Sequence, residues 1–367
     1  MKQYLEFEHD IKDLEHQLEQ LKDPFSQEGI SEIDTNRISE IQNEIDEKLK
    51  IIYSNLTSWQ KTLVARHEDR PKSKFFIENL FDEFIPLSGD RYYSEDKSVM
   101  TGFAKFNNQS VLVIGQEKGD DLDSRIERNF GMMRPEGYRK TIRLMKLADK
   151  FNIPIVIFVD TPGAYPAVGA EERGQAEAIA KSIECSMELK VPTISIIIGE
   201  GGSGGAIALA SSNKVIMLEN AIYSVISPEG CATILWRDPK KTLEAATAMK
   251  LSAKDLLNLK IIDEVIPEPL GGAHRDKNLI LENVRNSIER SINDFNSLTR
   301  EEIYNKRKEK FLSIGRAKGF TTGSSTQESL SLQTSILSDL LNKFKRYKNY
   351  VIVGGVLIVA ILGILII

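Results

Sequence analysis

The N-terminal part of the chain carries apolar side chains at helical spacing. Charged residues separate four apolar positions that recur every three or four residues, Ile11, Leu14, Leu18 and Leu21. The pair Asp23-Pro24 ends this run, and a second stripe follows at Ile38, Ile41, Ile45, Leu49 and Ile52. Residues 1–65 are therefore predicted to form an arm of amphipathic helices, which packs either on the body of the same chain or on a partner.

From about residue 98 the pattern changes to short apolar runs that alternate with helical ones. Two runs of strand character flank Asn107-Asn108, a pair suited to a hairpin turn. Beyond them, apolar strands alternate with helices, which is typical of βαβ units and a largely parallel sheet. The predicted strands are 99–106, 110–115, 153–159, 193–198, 214–218, 223–226 and 261–266, and the predicted helices are 135–151, 171–189, 203–211, 228–236, 240–258 and 279–310.

The C-terminal segment has a different composition. Residues 320–349 are predicted to form a polar linker, rich in Ser, Thr and Gln, that ends in a basic cluster. Residues 350–367, YVIVGGVLIVAILGILII, carry no charge. They are at the short end of a transmembrane helix, which needs about 20 residues. The basic cluster predicts a cytoplasmic body tethered to the inner face of the membrane by this tail. A peripheral hairpin or an oligomer contact is the alternative.

Composition narrows the functional class. A chain of 367 residues accommodates one large α/β domain with appendages, and a net charge of −5 argues against a nucleic-acid partner. Cys185 and Cys231 lie far apart, without the paired spacing of zinc or redox sites, which points to a reducing compartment. The four histidines are scattered, so no metal site is expected in this chain alone.

Two glycine-rich turns carry the candidate chemistry. The first, DTPGAYP at 160–166, follows a predicted strand, and the second, GEGGSGG at 199–205, leads directly into a helix. Glycine lets the backbone approach a ligand closely, and the helix start adds unpaired N–H donors and a positive dipole end. Such turns favour a concentrated negative charge, either a phosphate or an oxyanion.

The second turn also matches a dinucleotide-binding pattern. Gly199, Gly201 and Gly204 satisfy GxGxxG, and Glu219 lies where a ribose-binding acid is expected. Against this interpretation, the turn comes late in the α/β region instead of opening it. A P-loop is excluded because no Gly-Lys-Ser/Thr ending follows.

The same turn matches the nucleophile elbow GxSxG of hydrolases. Ser203 would be the nucleophile and His274 the base, with Asp238, Asp255 or Asp263 as the acid. The excess of glycine suits an anion cradle better than a strained elbow. Close packing without chemistry is a further alternative, which two such turns on successive strands weaken.

Several motifs occur in the order and spacing of a known family. They are RH at 66–67, GDR at 89–91, RNFGM at 128–132, PEGYRK at 135–140, DTPGAYP at 160–166, GAEERG at 169–174, GEGGSGGA at 199–206, YSVISPEG at 223–230 and PEPLGGAHR at 267–275. Up to about residue 319 the chain resembles the alpha subunit of the bacterial and plastid type of acetyl-CoA carboxylase carboxyltransferase. The resemblance implies a crotonase-like (ClpP/crotonase) ββα superhelix, an α/β fold, for a carboxyltransferase domain over residues 66–319.

The resemblance also implies a reaction. A carboxyl group passes from carboxybiotin, held on a separate carrier protein, to acetyl-CoA, giving malonyl-CoA in the first committed step of fatty acid synthesis. Negative charge develops on the biotin ureido group and on the thioester, and each needs a pair of backbone donors. The alpha chain of the family serves the biotin side. The amides of Gly204 and Gly205 are therefore assigned to the oxyanion hole, with Gly163 and Ala164 as the neighbouring turn.

Other residues are candidates for binding biotin or substrate. The set comprises Gly201, Gly202, Tyr165, Tyr223, Pro228, Glu229, Gly230, Arg139 and Arg173. The two tyrosines would flank the biotin ring, with ordinary aromatic packing as the alternative, and residues 228–230 would shape the pocket. A basic run around the helix start at Pro135 either attracts CoA phosphates or the carboxylated carrier, or is a solvated helix face. Its members are Arg128, Arg134, Arg139, Lys140 and Arg143.

The family implies further partners. A carboxyltransferase beta subunit would supply the thioester side and a four-cysteine zinc site, in an assembly of two alpha and two beta chains. The biotin carboxyl carrier protein and an ATP-using biotin carboxylase complete the expected complex. A non-catalytic scaffold that keeps the fold and adds a membrane tether is the alternative from another functional class.

Overall fold

The computed structural model describes residues 3–22 and 35–315 of the chain. The predicted linker and apolar tail, 320–367, and the helix-ending pair Asp23-Pro24 lie outside the described residues. Within the two described segments, no helix is both long enough and apolar enough to cross a membrane.

The N-terminal stripes form two helices, as predicted. Helix α1 spans His9–Lys22 and α2 spans Thr35–Ser54. Ile11, Leu18, Ile41, Ile45 and Leu49 form a small core between them, with the remaining stripe residues packed around it. The two stripes pack against each other, so apolar residues are needed at helical spacing along one face of each helix.

One sheet of eight strands organises the rest of the described chain. The strands are β1 (Asp82–Pro86), β2 (Val99–Phe106), β3 (Gln109–Gln116), β4 (Ile155–Thr161), β5 (Thr193–Gly202), β6 (Lys214–Leu218), β7 (Ile222–Ser224) and β8 (Glu264–Ile266). Their order is β1-β2-β3-β4-β5-β6-β8, and β7 pairs with the end of β5. The first three strands are antiparallel and the later pairs are parallel, so the predicted parallel sheet is confirmed from β3 onward.

Helices connect and cover the strands. They are α3 (Ser58–Ala65), α4 (Ser73–Leu80), α5 (Leu122–Glu127), α6 (Pro135–Lys150), α7 (Val168–Glu172), α8 (Gln175–Glu188), α9 (Ser203–Ala210), α10 (Pro228–Cys231), α11 (Thr242–Ala248), α12 (Ala253–Asn258), α13 (Lys277–Asn293) and α14 (Arg300–Ser313). Helix α8 packs on both α6 and α9, and α4 contacts α13. β4 is buried along its whole length, which is why its sequence is a continuous apolar run.

The hairpin turn between β2 and β3 is confirmed. Asn107 and Asn108 have φ values of 48° and 63°, the left-handed conformation that a tight hairpin turn requires at both positions. Asparagine tolerates this conformation better than most residues. The register is regular on both sides, from Phe106 opposite Gln109 to Val99 opposite Gln116.

Three predicted helices were too long. The segment 171–189 is divided at Gly174, whose φ of 81° interrupts the helix before α8. The segment 279–310 is two helices, and Thr299 begins the second with a capping box to Glu302. The segment 240–258 is divided before Ser252, which caps α12. Polar capping residues inside a helical pattern marked each of the last two breaks.

Candidate active site

The two glycine-rich turns lie side by side because their strands are neighbours. β4 and β5 are parallel, and their pairing extends to Thr161 opposite Gly201. Both turns therefore begin at the same end of the sheet, the carboxyl ends of the strands, where α/β proteins usually bind ligands.

Three glycines of the second turn are required by the backbone or side chain of the first. A Cβ on Gly199 would lie 2.5 Å from Asp160 Oδ1, and one on Gly202 would lie 2.1 Å from the carbonyl oxygen of Pro162. A Cβ on Gly205 would lie 2.6 Å from the carbonyl group of Gly163. No side chain fits at these distances, so the glycines serve the contact between the turns.

The start of α9 offers backbone donors at this contact. Gly202 is the N-cap and no side chain caps the helix, so the first-turn N–H groups have no partner within it. Gly204 and Gly205 belong to this first turn. Gly204 is half-buried, and a Cβ there would have Ile179 Cδ1, at 3.5 Å, as its nearest neighbour. The pair assigned to the oxyanion hole thus combines free donors with space beside one of them.

The first turn contributes one free donor of the two predicted. The N–H of Gly163 donates to Thr161 Oγ1 at 3.2 Å, and that hydroxyl donates to the carbonyl oxygen of Gly163 at 2.7 Å. Gly163 is therefore occupied in shaping the turn. Among the hydrogen bonds of the described residues, none uses the N–H of half-buried Ala164.

Gln116, at the end of β3, joins the two turns and was not predicted from sequence. Its Nε2 donates to the carbonyl oxygen of Gly205 at 2.9 Å, and its Oε1 accepts from the N–H of Asp160 at 3.2 Å. The side chain is fully buried. One amide thus satisfies a donor and an acceptor on different turns, which fixes their relative position.

A chain of five charged side chains runs along the same end of the sheet. Lys118 Nζ lies 2.8 Å from both Asp160 Oδ1 and Glu200 Oε2. Arg66, at the end of α3, donates to Glu200 at 2.6 Å and to Glu229 at 2.5 Å. The chain connects the exit of β3, both turns and the start of α10.

The charged chain borders a cleft of about 410 Å³. Arg66, Lys118, Asp160 and Glu200 line it together with Pro162 of the first turn. Of these, the sequence-based set of binding residues contained none. The sequence did show charged residues that interrupt apolar strands or glycine runs. Such residues indicate either a buried ion pair or a binding site, and the sequence does not distinguish the two.

The pKa of Glu200 predicts a specific loss of stability in acid. Burial alone would raise this pKa, but Lys118 and Arg66 outweigh it and lower the pKa from 4.5 to about 2. A carboxyl whose pKa is lower in the folded state stabilises the protein above its unfolded pKa, and this contribution disappears as the pH falls toward 2. The full difference corresponds to about 3 kcal/mol.

Denaturant unfolding between pH 6 and pH 2 tests this expectation. The wild-type free energy of unfolding should fall more steeply below about pH 4.5 than that of Glu200→Gln, which has no group to protonate there. Parallel curves for the two proteins would show that Glu200 carries no such contribution.

The two candidate tyrosines occupy different surroundings. Tyr223, on β7, lies opposite Gly201, and a Cβ on that glycine would be 2.9 Å from the tyrosine ring. Burial raises the pKa of Tyr223 to about 12. Tyr165 is half-buried beneath Arg134, whose guanidinium carbon lies 4.9 Å from the ring centroid. The ring of Tyr223 thus explains why residue 201 is a glycine. Tyr165 follows directly after Ala164 in the first turn.

Residues 228–230 lie at the start of α10. Pro228 occupies the first turn, and Ser227 Oγ accepts from the N–H of Gly230 at 3.1 Å. Glu229 is tied to Arg66 and through it to Glu200. The loop is therefore coupled to the second turn by charge.

Arg139 and Arg173 support the backbone near the first turn. Arg173 pairs with buried Glu136 at 2.6 Å, and Arg139 donates to the carbonyl oxygen of Arg173 at 2.6 Å. The guanidinium of Arg173 also lies 4.5 Å from the ring centroid of Tyr93. Both arginines are half-buried, so each makes these contacts and also keeps part of its side chain exposed to solvent.

The other members of the basic run hold residues 88–99 and 129. Lys140 is buried and bonds to Glu95 and to the carbonyl oxygens of Asp96 and Val99. Arg128 donates to Lys97 O, Arg143 to Ser88 O and Gly89 O, and Arg134 to Asn129. Lys140 therefore belongs neither to a solvated helix face nor to an exposed phosphate site.

The alternative functions lack the partner groups that they need. Ser203 has a positive φ of 52°, as the serine of a nucleophile elbow would, so the hydrolase interpretation depends on its base. His274 stacks on His67 with ring centroids 3.8 Å apart, and no described hydrogen bond joins it to Ser203. Burial, then nearby positive charge, lowers the pKa of His274 to about 2. Glu219 Oε2 accepts from the N–H of Glu268 at 3.1 Å, away from the glycine turn. In the described segments, no group of three or more His, Cys, Asp or Glu could hold a metal ion.

Solved structures share the fold of this chain. The chain is similar to the crystal structure of transcarboxylase 12S with methylmalonyl-coenzyme A and methylmalonic acid bound, with a TM-score of 0.51 at 20% identity. This match covers 61% of the chain and 41% of that protein. The structure of the same protein with hydrolysed methylmalonyl-coenzyme A bound gives a TM-score of 0.50. That match covers 61% of this chain and 40% of the other chain. The fold is therefore the predicted crotonase-like α/β fold.

Sequence comparison narrows the class to one family. The family described as acetyl co-enzyme A carboxylase carboxyltransferase-like matches residues 4–315. The acetyl-coenzyme A carboxylase carboxyl transferase subunit alpha of Pelagibacter ubique (strain HTCC1062) is 72% identical, over 98% of both chains. That of Brucella anthropi is 51% identical over 86% of this chain and 99% of its own. The chain belongs to the family of acetyl-CoA carboxylase carboxyltransferase alpha subunits, as its motifs predicted.

Proposed function

We propose that this chain supplies the biotin-facing half of a carboxyltransferase site that a beta subunit completes. The observation that carries the proposal is the contact of Gly205 with the Gly163–Ala164 peptide beside the uncapped start of α9. This contact brings the donors of Gly204, Gly205 and Ala164 to one end of the sheet. A cluster of rigid N–H donors is what a developing oxyanion needs.

In this proposal the chain acts mainly through its backbone. Gly204 and Gly205 donate to the ureido oxygen of biotin as the carboxyl group leaves, and Ala164 is a third donor within the neighbouring turn. Gly201 and Gly202 allow the close approach, and Tyr165 and Tyr223 flank the ring. No side-chain nucleophile is needed, because biotin itself can take the methyl proton of acetyl-CoA.

The substrates and partners follow from the same proposal. Carboxybiotin arrives on the biotin carboxyl carrier protein, which an ATP-using biotin carboxylase recharges, and acetyl-CoA is converted to malonyl-CoA. The beta subunit contributes the thioester side and a zinc site, in an assembly of two alpha and two beta chains. The relatives named subunit alpha support a complementary subunit.

Reconstitution tests the proposal. The purified chain, a partner beta subunit and the carboxylated carrier should form malonyl-CoA from acetyl-CoA, and omission of the chain should abolish the product. A complex that assembles and binds the carrier without forming malonyl-CoA would instead favour the non-catalytic scaffold.

We also propose a cytoplasmic protein tethered to the membrane by residues 350–367. Its support is the uncharged run of this segment and the basic cluster before it. The full-length chain should stay with the membrane pellet after a high-pH carbonate wash, and a variant that ends at residue 319 should remain in the supernatant. Release of both forms by the wash would contradict the tether.

A further inference from the structure

Lys118 lies between the two carboxylates that lead into the turns. Its ammonium contacts Asp160 Oδ1 and Glu200 Oε2 at 2.8 Å each, and only 16% of its side chain is exposed. Asp160 Oδ1 also accepts from the N–H of Glu200 at 2.9 Å. One half-buried cation therefore connects the ends of β4 and β5 at the point where each strand becomes a turn.

The positive charge of Lys118 is needed more by Asp160 than by Glu200. Glu200 has a second cation in Arg66, which it shares with Glu229. For Asp160, the ion pairs of the described residues provide Lys118 alone, and Glu117 adds a further nearby carboxyl. Without the ammonium, two buried carboxylates would face each other with one of them unpaired. A buried unpaired charge is costly, and moving the two carboxylates apart relieves it.

That movement would displace the turns themselves. Asp160 immediately precedes Thr161, and its carboxylate fills the space above Gly199. The backbone of Gly202 is in contact with Pro162. A shift at the carboxylates is therefore transmitted to the peptides that carry the candidate donors.

We propose that Lys118 is a positioning residue for carboxyl transfer, holding Asp160 and Glu200 together so that the two turns keep their contact. The proposal rests on the proposed function for its effect on rate, and on the ion pairs alone for its effect on the turns. Lys118 acts through the two carboxylates and touches no reacting atom.

Kinetics of the reconstituted complex give the first test. Lys118→Met should lower kcat about 10- to 100-fold, as expected for misplaced catalytic donors, with the KM for acetyl-CoA unchanged. Lys118→Arg should keep a larger part of kcat. Lys118→Met/Asp160→Asn should recover most of the loss, because it removes the unpaired charge and keeps an oxygen for the N–H of Glu200.

Lys105→Met is the matched control. Lys105 lies on β2 outside the lining of the cleft, and its partner Glu83 is 65% exposed, so its loss leaves no buried charge unpaired and kcat should stay at the wild-type value. Equal loss of kcat in Lys118→Met and in the double variant would overturn the proposal.

Amide hydrogen exchange gives a test that needs no activity. Exchange in residues 161–165 and 199–205 should be at least about tenfold faster in Lys118→Met than in the wild type and return toward wild type in the double variant. Unchanged exchange in the single variant would overturn the proposal even if the complex makes malonyl-CoA. Absence of malonyl-CoA with the wild-type chain, together with faster exchange in Lys118→Met, would contradict the proposed function and still support the role of Lys118 in holding the two turns together.

Discussion

Gly205→Val should abolish carboxyl transfer while the chain still assembles with the beta subunit. A Cβ at this position meets the carbonyl carbon and oxygen of Gly163 at 2.6 Å and the nitrogen of Ala164 at 3.0 Å. These are backbone atoms that cannot turn aside, so the first turn must move. Losing one oxyanion donor costs about 3–4 kcal/mol of barrier, a factor of about 10² to 10³ in kcat, and displacing both turns costs at least as much.

Ile207→Val separates this effect from the presence of valine in α9. Ile207 lies on the same helix with 42% of its surface exposed, so valine there meets no backbone. We expect wild-type kcat for this control. Malonyl-CoA formation in reconstituted complexes, with assembly checked by size-exclusion chromatography, gives the comparison. Normal turnover by Gly205→Val would refute the assignment of this turn to catalysis.

Glu268→Ala should destabilise the fold more than any exposed ion-pair variant. Glu268 has a fully buried side chain and pairs at 2.5 Å with Arg70, which is itself only 4% exposed. It also accepts from both nitrogens of Asn220 and from the N–H of Ala273. Removing one partner of a buried pair leaves the other charge unpaired, at a cost of about 3–5 kcal/mol.

Denaturant unfolding of the purified chain measures this loss. Glu301→Ala is the matched control, because Glu301 pairs with Lys190 at the surface and such a pair is worth about 0–1 kcal/mol. Glu268→Gln keeps the shape and much of the hydrogen bonding, so the difference between the wild type and Glu268→Gln isolates the charge, and the difference between the two variants isolates the hydrogen bonds and packing. A loss below about 1 kcal/mol for Glu268→Ala would contradict the structural role of this pair.

Local pattern was sufficient to predict much of the fold. The apolar runs of β4 and β5 predicted buried parallel strands because both faces of these strands are covered. The asparagine pair predicted the hairpin because its residues adopt positive φ. The helix breaks were missed because a helical period continues across them, and only capping by Thr299 or the left-handed Gly174 ends it.

The candidate site was predictable only where its chemistry lies in contiguous backbone. The glycine turns are continuous in sequence, and the purpose of Gly201 and Gly205 became clear only from their contacts with Tyr223 and Gly163. In the charged chain, Arg66 pairs with Glu200, which is 134 positions further along the sequence, and with Glu229, which is 163 positions further along. No sequence period connects such residues, because the sheet topology alone brings them together.

The division of labour between the subunits is the central claim of this account. It is tested most directly by measuring two quantities on the complex that contains Gly205→Val, the Kd of acetyl-CoA and the turnover of the carboxylated carrier. We expect the Kd to stay within about twofold of wild type, a difference of less than half a kcal/mol, while carrier turnover is lost. Weakened acetyl-CoA binding with intact carrier turnover would contradict the account and place this chain on the thioester side.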